Sequence, residues 1–188
     1  MSAPDAWGPP RTKTITWYDP WSAAAAGRAM TGIEHLQAMR DGALPPPPIT
    51  THFDFRIVSV EVGEVVFSCT PDESAYNPIG VVHGGLVCTL LDSVLGCAVQ
   101  STLLAGVGYT SIELKVNYLR AVHSTSGELS ARGRVTKPGR RIAFAEGDIC
   151  DAAGKLIATA TGSCLVVPVD LIDASKGGNN VTDGEMGR

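Results

Sequence analysis

The longest apolar stretch of the chain runs from Leu86 to Val99, and as a helix it would be apolar on nearly every side. This pattern predicts a helix of about four turns that is buried on most sides. Asp92 is the one ionisable residue within it. Because a carboxylate without a partner loses several kcal/mol when it leaves water, we expect a buried Asp92 to have a function.

One side of this helix carries small or polar residues. At about 100° per residue, four of them fall on a single stripe: Gly85, Thr89, Asp92 and Gly96. A glycine inside a helix costs about 1 kcal/mol relative to alanine. We therefore expect a ligand or another backbone to approach this stripe closely.

The helix follows a turn-rich segment that ends in His83, Gly84 and Gly85. The free N–H groups of a first helical turn, with no side chain in the way, suit an anion or a developing oxyanion. Gly85 and Asp92 are roughly 10 Å apart along the axis, at about 1.5 Å per residue. One carbonyl carbon cannot reach both, so a second chain could supply half of such a site.

Alternating apolar and polar residues predict strands on both sides of the helix. The clearest alternation predicts one half-buried face made of Ile112, Leu114, Val116 and Tyr118. Turn signals separate six such strands: Phe53–Val60, Val65–Cys69, Ile112–Tyr118, Leu129–Lys137, Arg141–Cys150 and Lys155–Val167. Two strands, a buried helix and four strands predict an α+β fold in which one curved antiparallel sheet wraps around the helix.

The first 48 residues are expected to lie outside this domain. Residues 1–21 are predicted to form an arm, and the apolar spacing from Ser22 to about Arg40 predicts one amphipathic helix. Four prolines from Pro45 to Pro48 then make a stiff linker. The domain is expected over 49–169, and the polar, glycine-rich tail over 170–188 is expected to be disordered.

Composition narrows the class of protein. The chain has 188 residues, of which 44% are hydrophobic and 18% charged, and this length fits a single domain with an appendage. Its net charge of −4 and the lack of a Lys/Arg block argue against a nucleic-acid partner. Five cysteines and four histidines without metal-ligand spacing argue against a metal and indicate buried thiols. With no secretory signal or membrane-spanning run, a cytoplasmic protein without membrane contact is expected.

Three motifs together resemble the hotdog-fold acyl-CoA thioesterases of the PaaI-like (phenylacetyl-CoA thioesterase) subgroup, in the 4-hydroxybenzoyl-CoA thioesterase superfamily. They are Asn77-Pro78, His83-Gly84-Gly85 with Asp92 nine residues after the histidine, and the segment from Gly108 to Leu119. The resemblance covers roughly residues 50–167. It implies a homodimer with its sheets joined edge to edge, commonly paired into a tetramer, with active sites at the dimer interface and no cofactor beyond the coenzyme A of the substrate.

The resemblance also implies roles for single residues. Gly84 would offer its N–H to the thioester oxygen, with Gly85 beside it and Asn77 and His83 supporting the site. Asp92 of the partner chain would act as a general base or as a nucleophile, assisted by the hydroxyl of Ser111 or of Thr110. Candidates for binding the phosphates of coenzyme A are Arg120, Arg134, Lys137, Gly139, Arg140 and Arg141. Tyr76, Leu90 and partner side chains are expected to close the acyl pocket.

Other interpretations stay open at this point. The carboxylate of Asp92 could brace a neighbouring element, His83 could be an ordinary turn residue, and the glycines could only permit a tight helix entry. A hotdog dehydratase or hydratase would use its histidine and carboxylate to move a proton alpha to the carbonyl. A sensor protein would keep the pocket and bind acyl-CoA without cleaving it. The glycine pair after His83 and the position of Asp92 favour hydrolysis.

Overall fold

A six-stranded antiparallel sheet wraps around one long helix in the computed structural model, which describes residues 7–173. The predicted α+β fold is confirmed. Of the predicted disordered tail, residues 170–173 are helical, and residues 174–188 lie outside the described residues. The strands are β1 (Phe55–Glu61), β2 (Glu64–Cys69), β3 (Val107–Tyr118), β4 (Leu129–Lys137), β5 (Ile142–Cys150) and β6 (Leu156–Pro168). The helices are α1 (Pro20–Gly27), α2 (Gly32–Arg40), α3 (Pro48–His52), α4 (Gly84–Gln100) and α5 (Val169–Asp173).

The strand order is β1-β2-β4-β5-β6-β3, and every neighbouring pair is antiparallel. The strand before α4 and the strand after it therefore lie far apart, and β3 becomes an edge strand that pairs with β6. Gly63 makes the tight turn between β1 and β2 with a φ of 82°, a conformation that suits glycine. This topology leaves β1 and β3 as the two edges of the sheet.

Helix α4 lies very close to the middle of the sheet. A Cβ atom on Gly133 of β4 would overlap the carbonyl group of Val94, and one on Gly147 of β5 would overlap the Leu95 side chain. These glycines let the sheet backbone approach the helix. The sheet-facing side of α4 is fully buried at Leu91 and Val94, so it forms the centre of the hydrophobic core.

The predicted single helix from Ser22 to Arg40 is wrong, because the chain forms α1 and α2 with a break between them. Thr31 caps α2: its Oγ1 accepts from the Glu34 N–H at 3.4 Å, and the Glu34 carboxylate accepts from the Thr31 N–H at 2.8 Å. This reciprocal capping starts a new helix rather than continuing the first. Pro48 also begins α3, so the linker is shorter than predicted.

The predicted apolar face of β3 is wrong at Ile112, whose side chain is 52% exposed. The pairing of β3 with β6 shifts register between Ser111 and Glu113, which makes Ile112 the extra residue of a β-bulge. After the bulge, Leu114 and Val116 pack against the core as predicted. The bulge changes the side-chain parity, so Ser111 and Leu114 both face α4 although three positions separate them.

Candidate functional site

The loop that leads into α4 is held by Asn77. Its Oδ1 atom accepts from the backbone N–H groups of Ile79 at 3.1 Å and Val81 at 3.3 Å. Its own N–H donates to the Val81 carbonyl at 2.8 Å. The amide oxygen of Asn77 is therefore used inside the loop. Asn77 shapes the entry to α4, as Asx turns do elsewhere.

His83 is the N-cap of α4. Its Nδ1 atom accepts a hydrogen bond from the Gly85 N–H at 2.8 Å, which satisfies one of the free donors of the first turn. The Gly85 N–H is thus occupied. The Gly84 N–H, in contrast, has no acceptor among residues 7–173. The one predicted donor that is available at this helix start is Gly84.

Tyr118 of β3 covers the Gly84 position. Its hydroxyl donates to the Gly84 carbonyl at 3.0 Å, and a Cβ on Gly84 would lie 3.2 Å from the tyrosine ring. Tyr118, Leu119 and Arg120 line a groove of about 300 Å³ beside Gly84. A free N–H at a helix start carries partial positive charge, so this end of α4 can stabilise a developing negative charge.

Asp92 is exposed in the single chain, so the predicted burial of its carboxylate is wrong. The cause is the direction of the polar stripe, which faces the edge strand β3 and the open cavity while Leu91 and Val94 face the middle of the sheet. Ser111 donates from its Oγ to Asp92 Oδ1 at 2.8 Å. Of the two candidate hydroxyls, Ser111 contacts the carboxylate, whereas Thr110 is exposed on the neighbouring position of β3.

A cavity of about 860 Å³ opens beside Asp92. Its lining comes from α4, from β1, β2 and β3, and from the N-terminal segment. Asp92, Ser93 and Cys97 line it from α4, and Tyr109 lines it from β3. The remaining walls are largely apolar and include Met39, Leu44, Pro45, Pro46, Pro47, Ile49, Phe55, Ile57 and Phe67.

The groups around Asp92 stay neutral near physiological pH. Burial raises the pKa of the Cys97 thiol to about 12. Burial also raises the pKa of Tyr109 well above its usual range. A protonated, buried thiol is a poor nucleophile, so Asp92 is the group here that can act as a base or a nucleophile. Tyr109 also packs so tightly on Gly96 that the position admits no side chain.

The two halves of the predicted site do not meet within one chain. Gly84 and Asp92 are eight residues apart on α4, which is about 12 Å of helix. Gly84 lines the groove beside Tyr118, and Asp92 lines the larger cavity. A single copy therefore presents a donor and a carboxylate that line two different cavities.

The candidates for phosphate binding fall into two groups. Arg120 follows the end of β3 and lines the groove beside Gly84. The turn between β4 and β5 lies at the opposite end of the sheet, because Ile142 and Thr110 both pair with Leu165. Three exposed cations lie in or next to that turn: Lys137, Arg140 and Arg141. The turn thus lies near the Ser111 end of β3.

Arg134, a further candidate on β4, and Lys137 of the turn have other contacts as well. Arg134 forms ion pairs with Glu146 at 3.3 Å and with Asp148 at 3.6 Å. The Lys137 ammonium lies 6.0 Å from the centre of the Phe144 ring. A Cβ on Gly139 would overlap the Ile142 carbonyl, so this turn position requires glycine. The backbone shape of the turn explains Gly139 without a ligand.

Sequence reasoning missed Tyr118 over Gly84, Tyr109 over Gly96 and the N-terminal wall of the cavity. The expected pocket residues were different ones: the Tyr76 hydroxyl instead hydrogen-bonds Ser124, and Leu90 is fully buried in the core. Tyr109 and Tyr118 stood in the motif region of β3, and the bulge that aims both at α4 had no visible signal. The contact of residues 39–50 with the cavity is a tertiary feature that a sequence pattern does not show.

Within the described part of the chain, no group of three or more His, Cys, Asp and Glu residues is arranged to hold a metal ion. The helices there also include none that is long and apolar enough to cross a bilayer.

Comparison with known proteins identifies the family. Residues 79–158 match the model of a family described as the thioesterase superfamily. Human acyl-coenzyme A thioesterase 13 is 31% identical over 103 residues, which cover 54% of this chain and 72% of the human protein. The chain belongs to the thioesterase superfamily. It is a thioester hydrolase, which confirms the resemblance of its motifs to hotdog thioesterases.

Solved structures of other proteins agree with this thioesterase in fold. A phenylacetic acid degradation-related protein from Ralstonia eutropha JMP134 superposes with a TM-score of 0.64 at 29% identity, covering 69% of this chain and 98% of that chain. A Streptococcus mutans UA159 protein, solved bound to acetyl CoA, superposes with a TM-score of 0.56 at 27% identity, covering 61% of this chain and 89% of that chain. The hotdog fold is confirmed.

Proposed function

We propose that this thioesterase hydrolyses acyl-CoA thioesters to a carboxylic acid and free coenzyme A. In each active site, Gly84 of one subunit would act together with Asp92 of the other. The observation that carries the proposal is the Gly84 N–H, which has no acceptor within residues 7–173, at the start of the helix whose middle presents an Asp92 carboxylate held by Ser111. The names of the human relative and of the acetyl CoA-bound bacterial structure support the substrate class.

Pairing between edge strands would bring the two halves together. β3 is a twelve-residue edge strand, and an exposed edge offers free N–H and C=O groups to a second strand. If two copies of β3 pair antiparallel about their middle, the Ser111 end of one strand lies opposite the Tyr118 end of the other. Ser111 holds Asp92 and Tyr118 rests on Gly84. The proposed assembly is therefore a homodimer, with pairing of dimers into a tetramer as the family resemblance implies.

Each half contributes a separate part of the reaction. The Gly84 N–H donates to the thioester oxygen as it gains negative charge, and the start of α4 adds favourable electrostatic potential. Asp92 either takes a proton from the attacking water or attacks the acyl carbon itself to form a mixed anhydride that water then cleaves. The thiolate of coenzyme A leaves and takes up a proton. No cofactor takes part in these steps.

The remaining assignments belong to the same proposal. Arg120 would bind a coenzyme A phosphate beside the Gly84 groove, and Arg140 and Arg141 would do so at the Ser111 end of the sheet. Residues 49–169 would form the hydrolase domain, since the six strands and α4 all lie within it. The five free cysteines support a reducing compartment, so the proposed location is the cytoplasm.

Thiol release from a panel of acyl-CoA substrates tests the hydrolysis. The substitution Asp92→Asn keeps the size of the side chain and removes its charge, and we expect it to lower kcat by about 10²- to 10⁴-fold. Asp148→Asn, on a carboxylate ion-paired with Arg134, is the matched control and should leave kcat unchanged. Full activity of Asp92→Asn would overturn the role of this carboxylate. Binding without thiol release would indicate a sensor, and water addition to an enoyl-CoA would indicate a hydratase.

Mixing two inactive variants tests the two-subunit site. Gly84→Pro removes the N–H and Asp92→Asn removes the carboxylate, so each homodimer lacks one half of both sites. A mixed dimer has one intact site, and refolding an equal mixture should restore about a quarter of the wild-type activity by random pairing. If activity stays at the level of the separate variants, the halves do not combine across a twofold axis.

A further inference from the structure

Most of the lining of the cavity beside Asp92 comes from outside residues 79–158, the part matched by the family model, and it includes a wall from the N-terminal segment. This N-terminal wall, defined here as residues 39–49, runs from the end of α2 through the prolines into α3. Leu44, Pro46 and Ile49 line the cavity from this side. Phe55 and Phe67 line it from β1 and β2.

The N-terminal wall is held in place by its own hydrogen bonds. The N–H groups of Ala43 and Leu44 both donate to the Ala38 carbonyl, at 2.8 Å and 3.1 Å. At the other end, the Thr50 N–H and hydroxyl donate to the Pro47 carbonyl at 3.0 Å and 2.7 Å. Prolines between these points restrict the backbone further. The wall is thus pre-organised, which reduces the entropy that a bound ligand must lose.

The wall is also anchored to the core. Leu36 of α2 is 1% exposed, and the Gly32 N–H donates to the Leu103 carbonyl at 2.9 Å. Gly32 lies against the Gln100 carbonyl so closely that a Cβ there would overlap it. Helix α2 therefore crosses the end of α4 in a fixed position. The shape of the cavity follows from this contact.

The lining of the cavity indicates what it can hold. Asp92 and Ser93 are its polar residues on α4, and Arg40 and Arg56 are the cations on its other side, each close to a neighbouring aspartate. The rest is largely aliphatic, proline or aromatic. Its volume of about 860 Å³ is towards the upper end of ordinary ligand pockets, which span about 300–1,000 Å³. An acetyl group would leave most of this apolar space without a partner.

Resting on the proposed function, we propose that the N-terminal wall determines substrate specificity by binding the long, apolar chain of a fatty acyl thioester. The thioester carbon lies at Asp92, and the chain extends from there between α4 and Leu44. Each methylene that enters such a pocket should raise kcat/KM by about fourfold until the cavity is filled.

Substrate series on three proteins test this specificity. In the wild type, kcat/KM should rise from acetyl-CoA through octanoyl-CoA to dodecanoyl-CoA. Leu44→Trp fills the cavity from its wall and should lower kcat/KM for dodecanoyl-CoA by more than about tenfold, with acetyl-CoA changed by less than about twofold. The matched control Ala105→Trp adds the same side chain at an exposed loop position and should behave like the wild type. Retained acetyl-CoA activity shows that the variant folds, and Ile49→Trp repeats the test at a second lining position.

Several results would overturn the proposal. A flat chain-length series, a preference for phenylacetyl-CoA over dodecanoyl-CoA, or an unchanged preference in both wall variants would show that the wall does not select a long chain. If the wild type releases no thiol from any substrate, the proposed function fails instead. Calorimetry then still tests the role of the wall. Tighter binding of dodecanoyl-CoA than of acetyl-CoA, with the difference lost in Leu44→Trp, supports the proposal, and equal binding of the two overturns it.

Discussion

The start and the middle of α4 present their functional groups in different ways. At the start, the group is the backbone N–H of Gly84, and its place is fixed by the Asn77 loop and the His83 cap. In the middle, the group is the Asp92 side chain, exposed to water and held by one hydroxyl at 2.8 Å. The first depends on the backbone and the second on a single hydrogen bond.

Because one functional group is a backbone N–H and the other is a side chain, different substitutions are needed to remove each of them. A backbone donor survives most side-chain changes nearby, but the crowded position next to Tyr118 leaves little room for a Cβ. A carboxylate on a helix can instead be removed or released by a single substitution. We therefore expect backbone changes to act mainly at the start of α4 and side-chain changes to act mainly at its middle.

The largest effect is expected for Gly84→Pro, which removes the proposed oxyanion donor. Gly84 is the first residue of α4, where proline fits, and His83 before it has the extended φ of −63° and ψ of 134° that proline allows. We expect kcat to fall by about 10²- to 10³-fold without loss of the fold. Steady-state thiol release and circular dichroism measure the two effects.

Gly84→Ala is the matched control for that change. It adds the same Cβ, which meets the Tyr118 ring at 3.2 Å, but it keeps the N–H. Its kcat should stay within a few-fold of the wild type. If alanine and proline lower kcat equally, crowding against Tyr118 explains the loss, and the N–H is not the oxyanion donor.

A smaller effect is expected at the middle of the helix when Ser111→Ala removes the hydroxyl that holds Asp92. A hydrogen bond to a charged group contributes about 1.5–3 kcal/mol, so kcat should fall by about 10- to 150-fold. Ser111→Thr keeps a hydroxyl and should recover most of the activity. Equal activity of the alanine variant and the wild type would show that Asp92 needs no positioning.

Alkaline pH tests two buried thiols, Cys97 of α4, which lines the cavity, and Cys69 of β2, which lies in the core. Burial raises the pKa of Cys97 to about 12, and Cys69 in the core has its pKa raised to about 12 as well, from 9.0. A raised pKa means that the folded state binds the proton more tightly. This stabilisation is present below pH 9.0 and is lost as the pH rises from there towards about 12.

Urea unfolding at several alkaline pH values measures this loss. Each buried thiol should lower the free energy of unfolding by about 1.4 kcal/mol per pH unit within that range. Cys97→Ala and Cys69→Ala should each make the decline less steep. If only Cys69→Ala makes the decline less steep, water reaches the Cys97 thiol through the cavity, and the cavity side of α4 is hydrated.

The smallest effect is expected for the cap at the start of α4. His83→Ala removes the acceptor of the Gly85 N–H and should lower the free energy of unfolding by about 1 kcal/mol. His83→Asn supplies another good N-cap acceptor and should restore that stability. Denaturant titration of both variants, with thiol release as a second readout, distinguishes a cap from a group that takes part in the reaction. A large loss of activity in a stable His83→Asn variant would contradict the capping role.

Much of the fold could be predicted because its signals are local. β4 has the predicted bounds, Leu129–Lys137, and β5 and β6 differ from their predictions by about one residue, since turn residues mark their ends. Helix α4 was predicted from its apolar residues alone. Even the break before α2 had a local signal, because Thr31 and Glu34 form a capping box that competes with the alanine-rich run before it.

The candidate site residues could be predicted from the sequence, but their exposure and the cavity around them could not. The motif gave Gly84, Asp92 and Ser111, and the structure brings the last two into contact. The exposure of Asp92 was missed because an apolar helix sequence does not show which side the sheet covers. The wall around Leu44 was missed because it depends on the way α2 crosses α4, a contact between distant parts of the chain.

The bulge at Ile112 has a consequence for how the two halves are spaced. With strict alternation, Ser111 and Tyr118 would point to opposite faces of β3, and one strand could not contact both parts of α4. Deleting Ile112 would therefore reverse the side-chain orientation on one side of the deletion. Either Ser111 or Tyr118 would then point away from α4, although no other residue is changed. The number of residues between Ser111 and Tyr118 on β3 thus determines whether one strand can contact both Asp92 and Gly84, with or without a bound substrate.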